Sequence, residues 1–200
     1  ELQRYFGITE TLSPKTCDMI WKRCNEKLAT QDFSIRNLLR KMNIKVLCTT
    51  DDPKDTLEYH KKLNQEFEIM VLPTFRPDLG FHINKPGFFS YMKELSTVVG
   101  YEIQSVADLK KALIERIYYF NEVGCKVSDH GMDEFRYHVC SDEETEEIFK
   151  KAFQKKPLTD QEVGKFEGNI LIELGKVYHE LGWVMQLHIG ALRNTSTRML

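Results

Sequence analysis

Two hundred residues, 42% of them hydrophobic and 29% charged, are enough for one sizeable core in an ordinary folded chain. A formal net charge of -2 gives no basic footprint for nucleic acid. No apolar run approaches the roughly 20 residues that span a bilayer, so neither nucleic acid nor a membrane is expected as a partner. The five cysteines (Cys17, Cys24, Cys48, Cys125 and Cys140) are odd in number and form no C-x-x-C pair. That favours reduced thiols in a cytoplasmic protein over a disulfide framework or a zinc knuckle. The opening Glu1-Leu2-Gln3-Arg4 is too polar for a secretory leader. An end at Arg198-Met199-Leu200, with no closing helix, reads as part of a longer protein.

Residues 1–42 read as a helical segment. Ser13-Pro14 is a start signal, a capping residue followed by proline at the first helical position. Cys17, Ile20, Trp21, Cys24 and Leu28 then recur at helical period. Phe33 to Met42 reads as a second, shorter helix with Ile35, Leu38, Leu39 and Met42 on one side.

Residues 43–200 alternate strands with helices. Ile44 to Cys48 is expected as a buried strand, with Cys48 as a small core residue, and it ends in Thr49-Thr50-Asp51-Asp52. Asp52-Pro53 is expected to cap a helix running to about Gln65. Phe67 to Leu72 is the second strand. It ends in Pro73-Thr74-Phe75-Arg76-Pro77-Asp78, whose prolines are expected to fix a turn that cannot continue a central ladder.

Leu79 to Pro86 reads as loop and Phe88 to Val98 as helix. Ser105-x-x-Asp108 resembles a capping box, and Val106, Leu109, Leu113, Ile117 and Phe120 follow at helical steps. Gly124 ends that helix as a left-handed cap. Cys125-Lys126-Val127 is the third strand, followed by Ser128-Asp129-His130-Gly131 and a loop to Cys140. Ser141-x-x-Glu144 and Thr159-x-x-Glu162 open two more helices. The second carries the most regular apolar stripe, Val163, Phe166, Ile170, Leu174, Val177 and Leu181, and stops at Gly182. Trp183 to Leu187 is the fourth strand, with His188 at its end and Arg193 and Asn194 just beyond.

Strands joined by long helical crossovers are parallel, and the pattern is that of an α/β sheet or barrel. In such folds the site gathers at the carboxyl ends of the strands. Those ends carry Thr50, Asp51 and Asp52; Thr74, Arg76 and Asp78; Ser128, Asp129 and His130; and His188 and Arg193. A carboxylate beside an imidazole suits proton transfer near neutral pH, and an arginine suits an oxyanion. Each has a plainer reading. Asp52 fits a helix cap, Asp51 a supporting hydrogen-bonder, Arg76 a structural ion pair, Asp129-His130-Gly131 a turn, His188 a core histidine and Arg193 a solvated side chain. His60, His138 and His179 read as inert surface residues. Polar residues after every strand, rather than any one of them, favour the functional reading.

Thr49-Thr50-Asp51-Asp52-Pro53, Pro73-Thr74-Phe75-Arg76-Pro77-Asp78, Ser128-Asp129-His130-Gly131 and Met185-Gln186-Leu187-His188-Ile189-Gly190-Ala191-Leu192-Arg193-Asn194 occur in that order. With the opening Glu1-Leu2-Gln3-Arg4-Tyr5-Phe6-Gly7-Ile8, they make the chain resemble the middle portion of the uronate (glucuronate) isomerase family, a branch of the amidohydrolase-like metal-dependent barrels.

The resemblance implies part of a (β/α)8 TIM barrel, about four parallel strands over 43–200, preceded by the helical segment 1–42. It implies aldose–ketose isomerisation of D-glucuronate to D-fructuronate and of D-galacturonate to D-tagaturonate through an enediol. A divalent metal, zinc by the resemblance, is expected as cofactor, with its ligands outside this chain; no His-x-His occurs here. Asp129 and His188 take catalytic roles, and Arg76, His130 and Arg193 bind substrate. The partner is a small-molecule uronate, with homo-oligomerisation left open. Two other readings compete: a metal-dependent hydrolase on the same kind of barrel, and a non-enzymatic helical binding protein in which Arg76, Asp129 and His188 would not meet. An open part-barrel is expected to expose apolar strand edges.

Overall fold

The structure, a computed structural model, describes residues 1–132, 134, 136–190 and 195–198. The chain divides into two units, Glu1–Leu47 and Cys48–Leu200.

The first unit holds α1 (Leu2–Phe6), α2 (Cys17–Leu28), a 3-10 turn (Gln31–Phe33) and α3 (Ile35–Lys41). Helix α2 starts three residues after Pro14. Residues 14–16 form a turn instead, held by the Thr16 hydroxyl, which donates to the Thr11 carbonyl at 2.7 Å. Lys27 Nζ donates to the Phe6 carbonyl at 2.6 Å, and the Phe6 and Phe33 rings meet at 5.2 Å. Of the expected apolar stripe only Ile20 is buried, and Trp21 is 74% exposed.

The strands are β1 (Val46–Cys48), β2 (Met70–Leu72), β3 (Val127–Met132) and β4 (Val184–Ile189). Between them lie α4 (Glu58–Glu66), then α5 (Asp78–Phe81), α6 (Phe88–Val99) and α7 (Val106–Glu122), then α8 (Asp142–Phe153) and α9 (Asp160–Glu180). The ladder from β1 to β2 runs on past Cys48: Thr49 N–H donates to Leu72 at 3.0 Å and Asp51 N–H to Thr74 at 3.0 Å. Parallel bridges Asp51–Phe75 and Phe75–Ser128 carry it to β3, which pairs parallel with β4. The fold is thus mixed α/β, with short parallel strands in the order of the sequence.

The prolines do not end the ladder, contrary to expectation. Phe75 N–H donates to Val127 at 3.1 Å, and its carbonyl accepts from Asp129 at 2.9 Å. Pro73 and Pro77 stand two residues to either side, so Phe75 keeps its own N–H and the contact with β3 is a single bridge. Phe75 is fully buried, its ring 5.0 Å from Phe120, 6.3 Å from Tyr178 and 6.2 Å from Trp183. These rings join the strand layer to α7 and α9.

Three capping signals hold. Ser105 accepts from Asp108 N–H, and Ser141 with Glu144 and Thr159 with Glu162 form complete capping boxes. The stripes of α7 and α9 are buried in one core with α6 and α8. Gly124 is left-handed, at φ 102.

Helix α4 starts at Glu58 rather than at Pro53. The Pro53 and Asp55 carbonyls are taken by the Arg116 guanidinium at 2.6 and 2.8 Å, and Asp52 accepts from Lys54 N–H at 2.9 Å, capping a turn. The expectation of buried strands holds only on the helix side. Val184 is 63% exposed, β1 is exposed, and Cys48 is exposed rather than in the core.

Candidate active site

Successive residues of a strand point to opposite faces, and the parallel register sets which side chains meet. Asp129 pairs with Gln186 and Gly131 with His188, so these four share one face of β3–β4. Ser128 and His130 take the other.

On the first face the carboxylate of Asp129 is central. His188 Nδ1 lies 2.6 Å from its Oδ1, and Arg76 Nη1 lies 3.4 Å from its Oδ2. Three of the expected residues therefore converge, which does not favour the non-enzymatic helical reading. Asp129 is buried while the His188 side chain is 55% exposed, so the imidazole is open and its anchor is not. Gln186 Nε2 stands 3.0 Å from His188 Nε2. A carboxylate oxygen faces Nδ1 and a side-chain amide faces Nε2; a neutral ring with its proton on Nδ1 would present Nε2 as a base.

Arg76 is held from two sides, its Nε donating to Asp78 Oδ2 at 2.8 Å. The Asp78 hydrogen bond holds the guanidinium pKa above its ordinary value against some loss from burial, with the charges of Asp78 and Asp129 adding to it. Gly131 makes room for this arm: a Cβ there would lie 2.5 Å from Arg76 Nη2 and 3.0 Å from Asp78 Oδ2.

His130 does not join them. Ser128-Asp129-His130-Gly131 lies within β3 instead of forming a turn after it, so Asp129 and His130 must point apart. His130 is fully buried between Phe81, at 5.8 Å, and Tyr178, at 5.7 Å, and substrate cannot reach it in this structure. Burial pushes its pKa down from 6.5 to about 4, against the pull of Asp129. The folded state keeps this ring neutral while the unfolded chain takes a proton near its ordinary pKa. Stability is therefore expected to fall as pH drops from about 6.5 to about 4, by roughly 3 kcal/mol at most, and to level off below. In the full-length protein, His130→Leu should remove that part of the acid-side decline in thermal midpoint; an unchanged decline would contradict it.

Arg193 lies outside the described residues. His60, read as inert surface, is buried: its Nε2 is 2.7 Å from Thr49 Oγ1 and 3.7 Å from Asp51 Oδ1. Asp51 also accepts from the Thr49 hydroxyl at 2.6 Å and from Thr74 N–H at 3.1 Å, which fits the supporting role. His138 and His179 are exposed.

His82, in a stretch read as loop, is the residue the sequence did not single out. Its Nδ1 lies 2.8 Å from Glu167 Oε1 and its Nε2 lies 3.0 Å from the Gly131 carbonyl. Nothing in its spacing marks it; only the tertiary fold brings α9 to it.

Over residues 1–200 the chain matches the family model described as glucuronate isomerase. It is 50% identical over 201 residues to the uronate isomerase of Caldanaerobacter subterraneus subsp. tengcongensis, covering 100% of this chain and 43% of that protein. It is 44% identical to the uronate isomerase of Histophilus somni, covering 100% of this chain and 44% of that one. Among solved structures, uronate isomerase from Thermotoga maritima superposes with a TM-score of 0.89 at 34% identity over 96% of this chain and 43% of that chain. Glucuronate isomerase from Caulobacter crescentus gives 0.87 at 28% identity over 98% and 41%. The chain thus spans less than half the length of the relatives it matches, and the hydrolase reading is not favoured. By the match along its full length, the chain belongs to the glucuronate isomerase family.

Proposed function

We propose that the full-length protein carrying this chain interconverts D-glucuronate with D-fructuronate, and D-galacturonate with D-tagaturonate, on a (β/α)8 barrel that includes β1–β4. The carrying observation is the oriented imidazole: His188, set by the buried Asp129 at 2.6 Å, at the carboxyl end of a parallel strand in a chain of this family. Aldose–ketose exchange moves a proton between C2 and C1 through an enediol. His188 Nε2 can hold that proton, and Asp129 stabilises the imidazolium formed.

Arg76 donates to sugar oxygens through the N–H groups that Asp78 and Asp129 leave free. One guanidinium already faces two carboxylates here, and that charge count favours a hydroxyl or carbonyl oxygen over the uronate carboxylate as its ligand.

A divalent metal belongs to this reading and would polarise the sugar oxygens. Among the described residues no three His, Cys, Asp or Glu side chains converge to hold one, and Arg76 occupies the space beside Asp129. These residues do not fit a metal, and its ligands are proposed to lie outside them. The cytoplasm is the proposed location, where five free cysteines stay reduced. The test is incubation of the full-length protein with each uronate, with and without added zinc, and detection of ketose by coupled reduction. Ketose from either supports the reading; none from either sinks it.

A further inference from the structure

We propose that His82 and Glu167 form a positioning pair that fixes the stretch of β3 carrying Asp129, by gripping the Gly131 carbonyl across the helix–strand interface. This rests on the reading of Arg76, Asp129 and His188 as the wall that meets the sugar.

The ladder shows why a grip is needed. Residues of β3 bond alternately to their two neighbours: Met132 accepts from Gly190 on the β4 side, while Val127 and Asp129 bond Phe75 on the β2 side. Gly131 is next in turn for the β2 side, and β2 has ended. In this register Gly131 N–H would meet the Pro77 carbonyl, but that carbonyl accepts from Gly80 N–H at 2.7 Å instead. Side chains take over. Asp78 accepts from Gly131 N–H, with Oδ2 at 3.0 Å, and His82 Nε2 reaches the Gly131 carbonyl at 3.0 Å. Asp78 also holds Arg76, so one carboxylate and one imidazole lock Gly131 and the guanidinium together.

Both atoms facing the His82 ring are acceptors, a carboxylate oxygen and a carbonyl oxygen. A neutral imidazole has one N–H and satisfies only one of them; the imidazolium satisfies both. Its side chain is 16% exposed and both nitrogens are committed, so His82 acts on the reaction only through Gly131. The titratable groups around it are Glu167 of α9, Asp78 of α5 and the neutral His130 of β3, with Lys85, Glu134 and Arg136 lining a small polar cavity beside it. Burial opposes the charge, but the Glu167 hydrogen bond and charge, the Gly131 carbonyl and Asp78 outweigh it, and the pKa stands above 6.5. A raised folded value means that the grip is complete below the ordinary histidine pKa and is lost as pH rises through the folded one.

The test uses the full-length enzyme, assayed with D-glucuronate across pH beside Asp129→Asn. Glu167→Gln keeps the shape and removes the charge. It is expected to lower kcat roughly 10- to 100-fold with KM nearly unchanged, as for a displacement of about 1 Å at the reacting groups. It should also move the alkaline limb of kcat to lower pH. His82→Gln should abolish that limb, and a thermal midpoint near wild type identifies the folded samples. Wild-type kcat and an unmoved limb in folded Glu167→Gln, with Asp129→Asn inactive, would overturn the positioning role alone. Full activity in Asp129→Asn would overturn the site reading beneath it.

Discussion

Asp129→Asn is expected to lower kcat on D-glucuronate by roughly 100- to 10,000-fold while the protein stays folded. Asp129 is buried, and its Oδ1 lies 2.6 Å from His188 Nδ1. The asparagine amide can turn its NH2 toward the ring, which then accepts at Nδ1 and carries its proton on Nε2. The base nitrogen is lost without any change of shape. His188→Asn should cost a similar factor, and the double variant little more than either single one, because the pair acts as a unit. Steady-state kinetics on the three proteins check this. Additive losses, or a loss confined to KM, would show that the two side chains act separately or only in binding.

Gly131→Ala is expected to cost about 100-fold in kcat/KM and roughly 1–3 kcal/mol of stability. The new methyl would lie 2.5 Å from Arg76 Nη2 and 3.0 Å from Asp78 Oδ2. An arginine end is flexible in general, but Asp78 at 2.8 Å and Asp129 at 3.4 Å tether this one. It cannot withdraw without leaving a buried carboxylate less well paired. Gly131 does not have the positive φ of Gly124, so the effect is steric and not one of backbone strain. Kinetics and thermal denaturation of the variant measure both terms. Wild-type kcat/KM would mean that the guanidinium has room to move and that its position does not matter.

The parts of the fold legible in the sequence were those with local causes. The capping residues Ser105, Ser141 and Thr159 satisfy N–H groups within their own first turns. The stripes of α7 and α9 repeat at helical period because one face meets the core. Features that depend on a neighbouring strand were not legible. Phe75 looked like turn because two prolines flank it, yet which backbone groups a strand needs depends on which side its partner lies. His130 looked like a neighbour of Asp129 because Ser128 to Gly131 read as a turn; within a strand, adjacent residues must part. His60 and His82 are placed by Thr49 and by Glu167, each far away in sequence, and no periodicity encodes those meetings. Arg76, Asp129 and His188 were accessible because the carboxyl ends of parallel strands converge whatever the details of the helices between them.

The most direct test of the placement is a crystal structure of the full-length protein with D-glucuronate or its ketose product bound. The sugar is expected at the carboxyl ends of the strands, with His188 Nε2 and an N–H of Arg76 within hydrogen-bond distance of it, Asp129 still holding His188 Nδ1, and His130 buried behind β3. A sugar bound elsewhere, or one touched by His130 while His188 faces away, would contradict the account.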